Sequence, residues 1–210
     1  MKRRTDSRGC ARNRSRGFTL LEVATTGIIL VILAAIAMPS YRSIIRTSRL
    51  TTQIYDFDAT LNLARSEAVK RGIPISICPS TTGTDCAASG TNWESGWIMF
   101  VDNNADHVVN GSDVVLRVSA SLVTGYTLRG NSSSSLASYV TINAKGQVSI
   151  TDNSTGNSLS AGQFVLCENG VLNPARGLLV SNVGRISIAD DNNGVPKDAS
   201  GTNMTSCTPS

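Results

Sequence analysis

From Phe18 to Met38 the chain reads FTLLEVATTGIILVILAAIAM, twenty-one residues in which Glu22 is the one charged side chain. As a helix this run would extend about 31 Å, close to the roughly 30 Å hydrocarbon core of a bilayer. It can therefore cross a membrane. Ahead of it lie seven of the 19 Lys and Arg residues and a single acid, Asp6; after it, basic residues are sparse. The positive-inside rule then places the N-terminus in the cytoplasm and everything beyond Pro39 on the far side. The formal charge of +4 belongs to this leader, because without residues 1–17 the chain has 12 basic and 14 acidic residues.

An ordinary secretory signal would end in a small-residue cleavage site, and Ala37-Met38-Pro39-Ser40 is a poor one, so the apolar run is expected to be retained. Glu22 argues against a plain anchor. A carboxylate in a lipid-spanning helix costs roughly 2.5 to 3.5 kcal/mol at the bilayer centre, somewhat less near an interface, and marks a function with a partner. The heptapeptide Arg16-Gly17-Phe18-Thr19-Leu20-Leu21-Glu22, with its basic flank and apolar sequel, resembles the type III signal of type IV prepilins and pseudopilins. That resemblance implies cleavage between Gly17 and Phe18 by a prepilin peptidase, methylation of the Phe18 amino group, and retention of the helix in the inner membrane before assembly. The Phe18 amino group of a neighbouring subunit would then supply the charge that a buried Glu22 lacks, making Glu22 a register device for contact with other pilins.

Beyond the anchor, Pro39 should bend or loosen the helix. Helical periodicity nevertheless resumes: Ile54, Phe57, Leu61, Ala64 and Ala68 form an apolar stripe, and Arg71-Gly72 followed by Pro74 supplies a stop. One helix from about Phe18 to Arg71 is expected, roughly 80 Å long. The remainder is rich in Gly, Ser, Thr and Asn, with short runs suited to strands at 75–78, 97–101, 114–118, 139–143, 147–150, 164–167, 178–181 and 186–188. Ala144-Lys145-Gly146 and Asn182-Val183-Gly184 read as hairpin connections, and 130–138 as a Ser-rich loop. The fold class is α+β, an antiparallel sheet head on a long N-terminal helix. The chain divides into a leader at 1–17, a transmembrane and assembly helix at 18–39, an amphipathic helix at 40–71 and a β-rich periplasmic head at 72–210.

Cysteine follows the same division. Cys10 lies in the leader, while Cys78, Cys86, Cys167 and Cys207 lie in the head without a CxxC pair and with one histidine in the whole chain. Two disulfides in an oxidising compartment suit this set better than zinc. Pairing Cys78 with Cys86 and Cys167 with Cys207 would close one short loop and staple the C-terminus; the other two connectivities stay open.

The segments Leu63-Ala64-Arg65-Ser66-Glu67-Ala68-Val69-Lys70-Arg71-Gly72, Ile77-Cys78-Pro79-Ser80, Trp93-Glu94-Ser95-Gly96-Trp97-Ile98-Met99-Phe100-Val101-Asp102 and Gly184-Arg185 together resemble the GspH/FimT family of minor pilins and pseudopilins. Most of these residues also have a packing account: Ala64 and Ala68 allow close approach, Trp97 fills a core and Gly96 relieves crowding.

Catalytic constellations are missing from the sequence, since His107 sits in a polar turn and neither a nucleophile elbow nor a phosphate-binding loop occurs. Neither an enzyme nor a cofactor is expected. Asp102-Asn103-Asn104-Ala105-Asp106 and Asp113 place oxygens at spacings that raise calcium, but His107 stands where such a loop needs Gly, and a solvated loop is the preferred reading. DNA is the other candidate partner, because some FimT-like relatives carry a C-terminal GRxR motif for DNA uptake; here Gly184-Arg185-Ile186-Ser187 matches only its first half. From Thr52 onward nine basic residues face 13 acidic ones, the wrong balance for phosphate binding. Arg176, Arg185 and Lys197 would be the local patch, unless Arg185 pairs with Asp190 or Asp191. A type II secretion pseudopilin would share the leader, helix and fold.

Overall fold

The computed structural model describes residues 17–88, 92–189 and 191–209. The leader up to Arg16, with Cys10, and Asp190 lie outside the described residues. Helix α1 runs from Leu20 to Arg71. Pro39 does not interrupt it: proline removes a single N–H, and the turns on either side keep their own ladder. The chain divides into two compact units, Met1–Ile44 and Ile45–Ser210, and the boundary falls within this helix.

In the first unit every described side chain from Gly17 to Met38 is exposed, and an 18-residue window of α1 reaches a mean hydropathy of 2.4. Such a surface is stable only in lipid or against other apolar helices. Its hydroxyls are satisfied within the helix, Thr25 Oγ1 and Thr26 Oγ1 donating to the Glu22 carbonyl at 3.0 and 2.9 Å, so they add little to the cost of burial in hydrocarbon.

The second unit begins where the helix acquires a core face. Leu50, Ile54, Phe57, Leu61, Ala64 and Ala68 are fully buried, as the spacing predicts. Gly72, at φ 70°, ends the helix by donating its N–H to the Ala68 carbonyl at 2.9 Å. The strands are β1 (Ile75–Pro79), β2 (Trp97–Val101), β3 (Val114–Ser119), β4 (Tyr126–Gly130), β5 (Val140–Ile142), β6 (Val148–Ser149), β7 (Ala161–Glu168), β8 (Val171–Ser181), β9 (Ile186–Ile188), β10 (Asp191–Asn192) and β11 (Val195–Pro196). They form a five-stranded sheet ordered β3-β2-β1-β5-β6, a four-stranded sheet ordered β4-β7-β8-β9 and the β10-β11 ribbon. All their pairings are antiparallel.

Both larger sheets contribute to one core with the helix stripe. Phe57 sits at its centre, edge-on to Trp93, Trp97 and Phe164 with ring centroids 5.3, 5.1 and 4.8 Å away. The two indoles keep their N–H groups bonded, Trp93 to the Leu136 carbonyl at 2.9 Å and Trp97 to Thr60 Oγ1 at 3.4 Å, as buried Trp requires. The disulfides join Cys78 to Cys86 and Cys167 to Cys207, tying the 80–86 loop to β1 and the C-terminal segment to β7.

The structure departs from the sequence reading at several strands: the β10-β11 ribbon is new, and β7 starts at Ala161 rather than Phe164. Strand β4 is absent from the runs read in the sequence, which assign only its last residue, Gly130, to a loop, yet Tyr126, Leu128 and Gly130 alternate inward. Strand β8 begins at Val171 rather than Leu178; Pro174 falls in the irregular stretch between the Glu168–Val171 and Cys167–Ala175 pairs, where a ladder N–H is not needed. Within the Ser-rich loop a short 3-10 turn, Ser135–Ala137, buries Leu136 completely.

The two hairpin turns read from the sequence, β5-β6 and β8-β9, lie against each other. A Cβ on Gly184, whose φ is 82°, would come within 1.9 Å of the Gly146 carbonyl oxygen. Gly184→Ala is therefore expected to destabilise the chain by about 2 kcal/mol or more, through left-handed strain plus the clash. Chemical denaturation followed by Trp fluorescence checks this.

Candidate assembly site and charged surfaces

The start of α1 is built by Thr19. Its Oγ1 accepts the Glu22 N–H at 3.2 Å and its carbonyl accepts the Val23 N–H at 3.2 Å, so Thr19 is the N-cap and Glu22 the third helical residue. Thr19-Leu20-Leu21-Glu22 is thus a capping-box sequence, a signal that the apolar context hid. The first turn also suits a carboxylate at the positive end of the helix dipole. Glu22 has no ion-pair partner among the described residues, and Phe18 is 82% exposed. Gly17, Phe18 and Glu22 therefore lie within the first helical turn and its lead-in, all three exposed.

In the head, Asp102 closes β2 fully buried. It accepts from Ser76 Oγ at 2.6 Å and from the Asp106 and His107 N–H groups at 3.1 Å each. Thr141 Oγ1 links Ser76 Oγ at 2.7 Å to His107 Nδ1 at 2.9 Å, and the imidazole stacks on Tyr139. His107 adopts φ 66°, so it makes the turn for which the sequence reading required Gly. One carboxylate oxygen from each of Asp102, Asp106 and Asp113 lies within 4.8 Å of the others. These groups already serve the loop: Asp106 accepts from the Val108 N–H and the Asn110 amide, which hold its carboxyl below the usual range, and Asp113 accepts from the Asn103 and Asn110 N–H groups. The cluster is a hydrogen-bonded loop between β2 and β3.

A second self-capped carboxylate, Asp152, accepts from Ser154 Oγ and the Ser154 and Thr155 N–H groups, which lower its pKa from 3.8 to about 2. A depressed value means that its contribution to stability is present above about pH 4 and disappears as pH falls through about 2. An NMR titration should give that midpoint, with the Ser154 and Thr155 amides losing exchange protection over the same range.

Of the basic residues named from the sequence, Arg176 and Arg185 do not lie together. Arg176 pairs with Asp191 at 2.9 Å. Arg185 opens the β9 side of the β8-β9 turn, with its N–H donated to Ser181 Oγ at 3.1 Å, and Arg176 and Ser181 are five strand residues, roughly 17 Å, apart. Lys197 follows β11 and bridges to Asn203. Arg176 and Arg185 therefore stand apart along β8, and Asp191 is engaged by Arg176 rather than Arg185.

A helix whose first half is apolar and exposed and whose second half seals an antiparallel β head defines a protein of the type IV pilin class. The chain belongs to the GspH family, described as type II transport protein GspH, whose profile matches residues 53–184. Among solved structures it is similar to the type IV minor pilin FimU of Pseudomonas aeruginosa. One crystal form gives 22% identity and a TM-score of 0.52 over 77% of this chain and 97% of that one. A second gives 23% identity and a TM-score of 0.47 over 75% and 99%. A search of curated proteins finds no match.

Proposed function

We propose that the chain is a minor pilin, a non-enzymatic subunit cleaved between Gly17 and Phe18 by a prepilin peptidase and methylated on the new Phe18 amino group. It is held in the inner membrane with its head in the periplasm until its helix is drawn into a type IV pilus or its initiating tip complex. The observation that carries this reading is the exposed apolar half of α1 bearing Glu22 in its first turn. In a fibre that surface exchanges lipid for other subunits' helices, and Glu22 meets the Phe18 amino group of a neighbour. Four head cysteines in two disulfides agree with an oxidising compartment.

The test is the N-terminal mass of the mature chain together with its recovery from sheared surface fibres. A chain beginning at methylated Phe18 and present in the fibres is the expected result; one retaining all seventeen leader residues, and absent from fibres, overturns the reading. The family's description favours a second reading, a pseudopilin of a type II secretion system. Deleting the gene separates the two, since one machine's loss abolishes surface fibres and the other's abolishes secretion. DNA is not the ligand proposed, because Arg176 is neutralised by Asp191 and Arg185 stands by Ser181, roughly 17 Å further along β8.

A further inference from the structure

Of the nine basic residues from Thr52 onward, five are paired with carboxylates: Lys70 and Arg71 with Glu67, Arg117 with Asp56, Arg129 with Glu94 and Arg176 with Asp191. Arg65, Lys145, Arg185 and Lys197 have no carboxylate partner among the described residues. Three of these four adjoin one meeting point of the backbone. A Cβ on Gly146 would lie 3.2 Å from Arg65 Nε, and one on Gly184 would lie 3.0 Å from the same atom. Lys145 precedes the first glycine and Arg185 follows the second, so Arg65 reaches from α1 to the place where the two hairpin turns touch. Exposed apolar groups adjoin it: Val69 Cγ2 would be 3.1 Å from the Gly146 Cβ, and Val183 precedes Gly184 in the turn. Val69 and Val183 are 55% and 62% exposed.

We propose that Arg65, Lys145 and Arg185, with Val69 and Val183 between them, form a docking surface for a carboxylate-bearing patch on the head of a neighbouring subunit. The inference rests on the subunit reading above and adds the contact that reading leaves unassigned. Uncompensated cations in a head with an excess of acids create a local field of opposite sign, which selects an acidic partner and fixes its orientation. Two exposed valines among the cations suit a protein interface, whose centre mixes apolar side chains with Arg. They contribute nothing to a phosphate backbone, and three cations on an acidic head give weak polyanion binding. The backbone contact between the turns fixes the patch in advance, which lowers the entropy cost of docking.

The test expresses the full chain in fibre-producing cells as wild type, as Arg65→Glu/Lys145→Glu/Arg185→Glu and as the milder Arg65→Gln/Lys145→Gln/Arg185→Gln. Processing is scored by N-terminal mass, folding by disulfide mapping, and assembly by recovery from sheared fibres. Both variants should be processed and oxidised like wild type, with recovery lowered roughly tenfold by the Gln set and further by the Glu set. An Asp or Glu changed to Lys on another subunit's head should restore the Glu set. If the Glu set fails to oxidise correctly, the Gln set decides alone. Recovery of a correctly folded variant at the wild-type level overturns the docking surface. Wild-type chain missing from fibres instead overturns the subunit reading itself. A labelled 30-base-pair duplex is the counter-probe for full chain in detergent: salt-sensitive binding that the Gln set abolishes, with fibre recovery unchanged, assigns the patch to nucleic acid and overturns the protein partner.

Discussion

Phe57→Ala is expected to destabilise the chain by about 3 to 5 kcal/mol, the range for removing a buried aromatic side chain. Phe57 is fully buried and packs edge-on against three other aromatic rings, so truncation both opens a cavity and forfeits its edge-to-face contacts with Trp93, Trp97 and Phe164. Neighbouring groups cannot close the gap cheaply. Trp93 is fixed by its bond to the Leu136 carbonyl, and Trp97 by Thr60 on the helix. Domains of this size carry about 5 to 15 kcal/mol in total, so the loss is a large fraction, and the melting temperature should fall by roughly 10 °C or more. Near-ultraviolet circular dichroism reports it directly, because the two affected indoles lie in the cluster. A shift of only a few degrees would mean that the helix is not the keystone of the head core.

The helix stripe that presents Phe57 was legible because α-helical burial repeats at a fixed spacing, and all five residues named from that spacing are fully buried. Strands β1, β2 and β9 were legible for a different reason, as short apolar runs bounded by turn residues. Strand β4 was not, because its inward positions are Tyr126, Leu128 and Gly130 while Arg129 lies between them paired with Glu94; a single large aliphatic residue gives no visible alternation. Gly130 is there for contact rather than for a turn, since a Cβ would come within 2.1 Å of the Leu136 carbonyl oxygen. Such approaches are tertiary facts that no local pattern encodes. The charged surface shows the same limit. Arg65 and Arg185 are 120 residues apart in sequence, and only the meeting of two glycine turns brings them together.

Removing the charge of Glu22 is expected to leave membrane insertion intact and to abolish incorporation into fibres. Glu22→Gln keeps the shape and the backbone N–H that Thr19 Oγ1 accepts. It removes about 0.3 to 1 kcal/mol of favourable interaction with the helix dipole. Against lipid the change is not unfavourable, because an ionised carboxylate costs roughly 2.5 to 3.5 kcal/mol at the bilayer centre and a neutral amide carries no charge to desolvate. A role confined to helix stability or anchoring therefore predicts a small effect or a gain. In the proposed assembled state the sign reverses: the neighbour's Phe18 amino group would be left buried without its counter-charge, a loss of about 3 to 5 kcal/mol that lowers the assembly equilibrium by roughly two to nearly four orders of magnitude. Glu22→Lys should be worse, since two cations would then face each other. The decisive comparison is between the membrane fraction and sheared fibres of the same cells. Processed Glu22→Gln chain held in the membrane and missing from fibres is the outcome expected of an intersubunit pair, whereas equal recovery of Glu22→Gln and wild type would reduce Glu22 to a helix-capping residue.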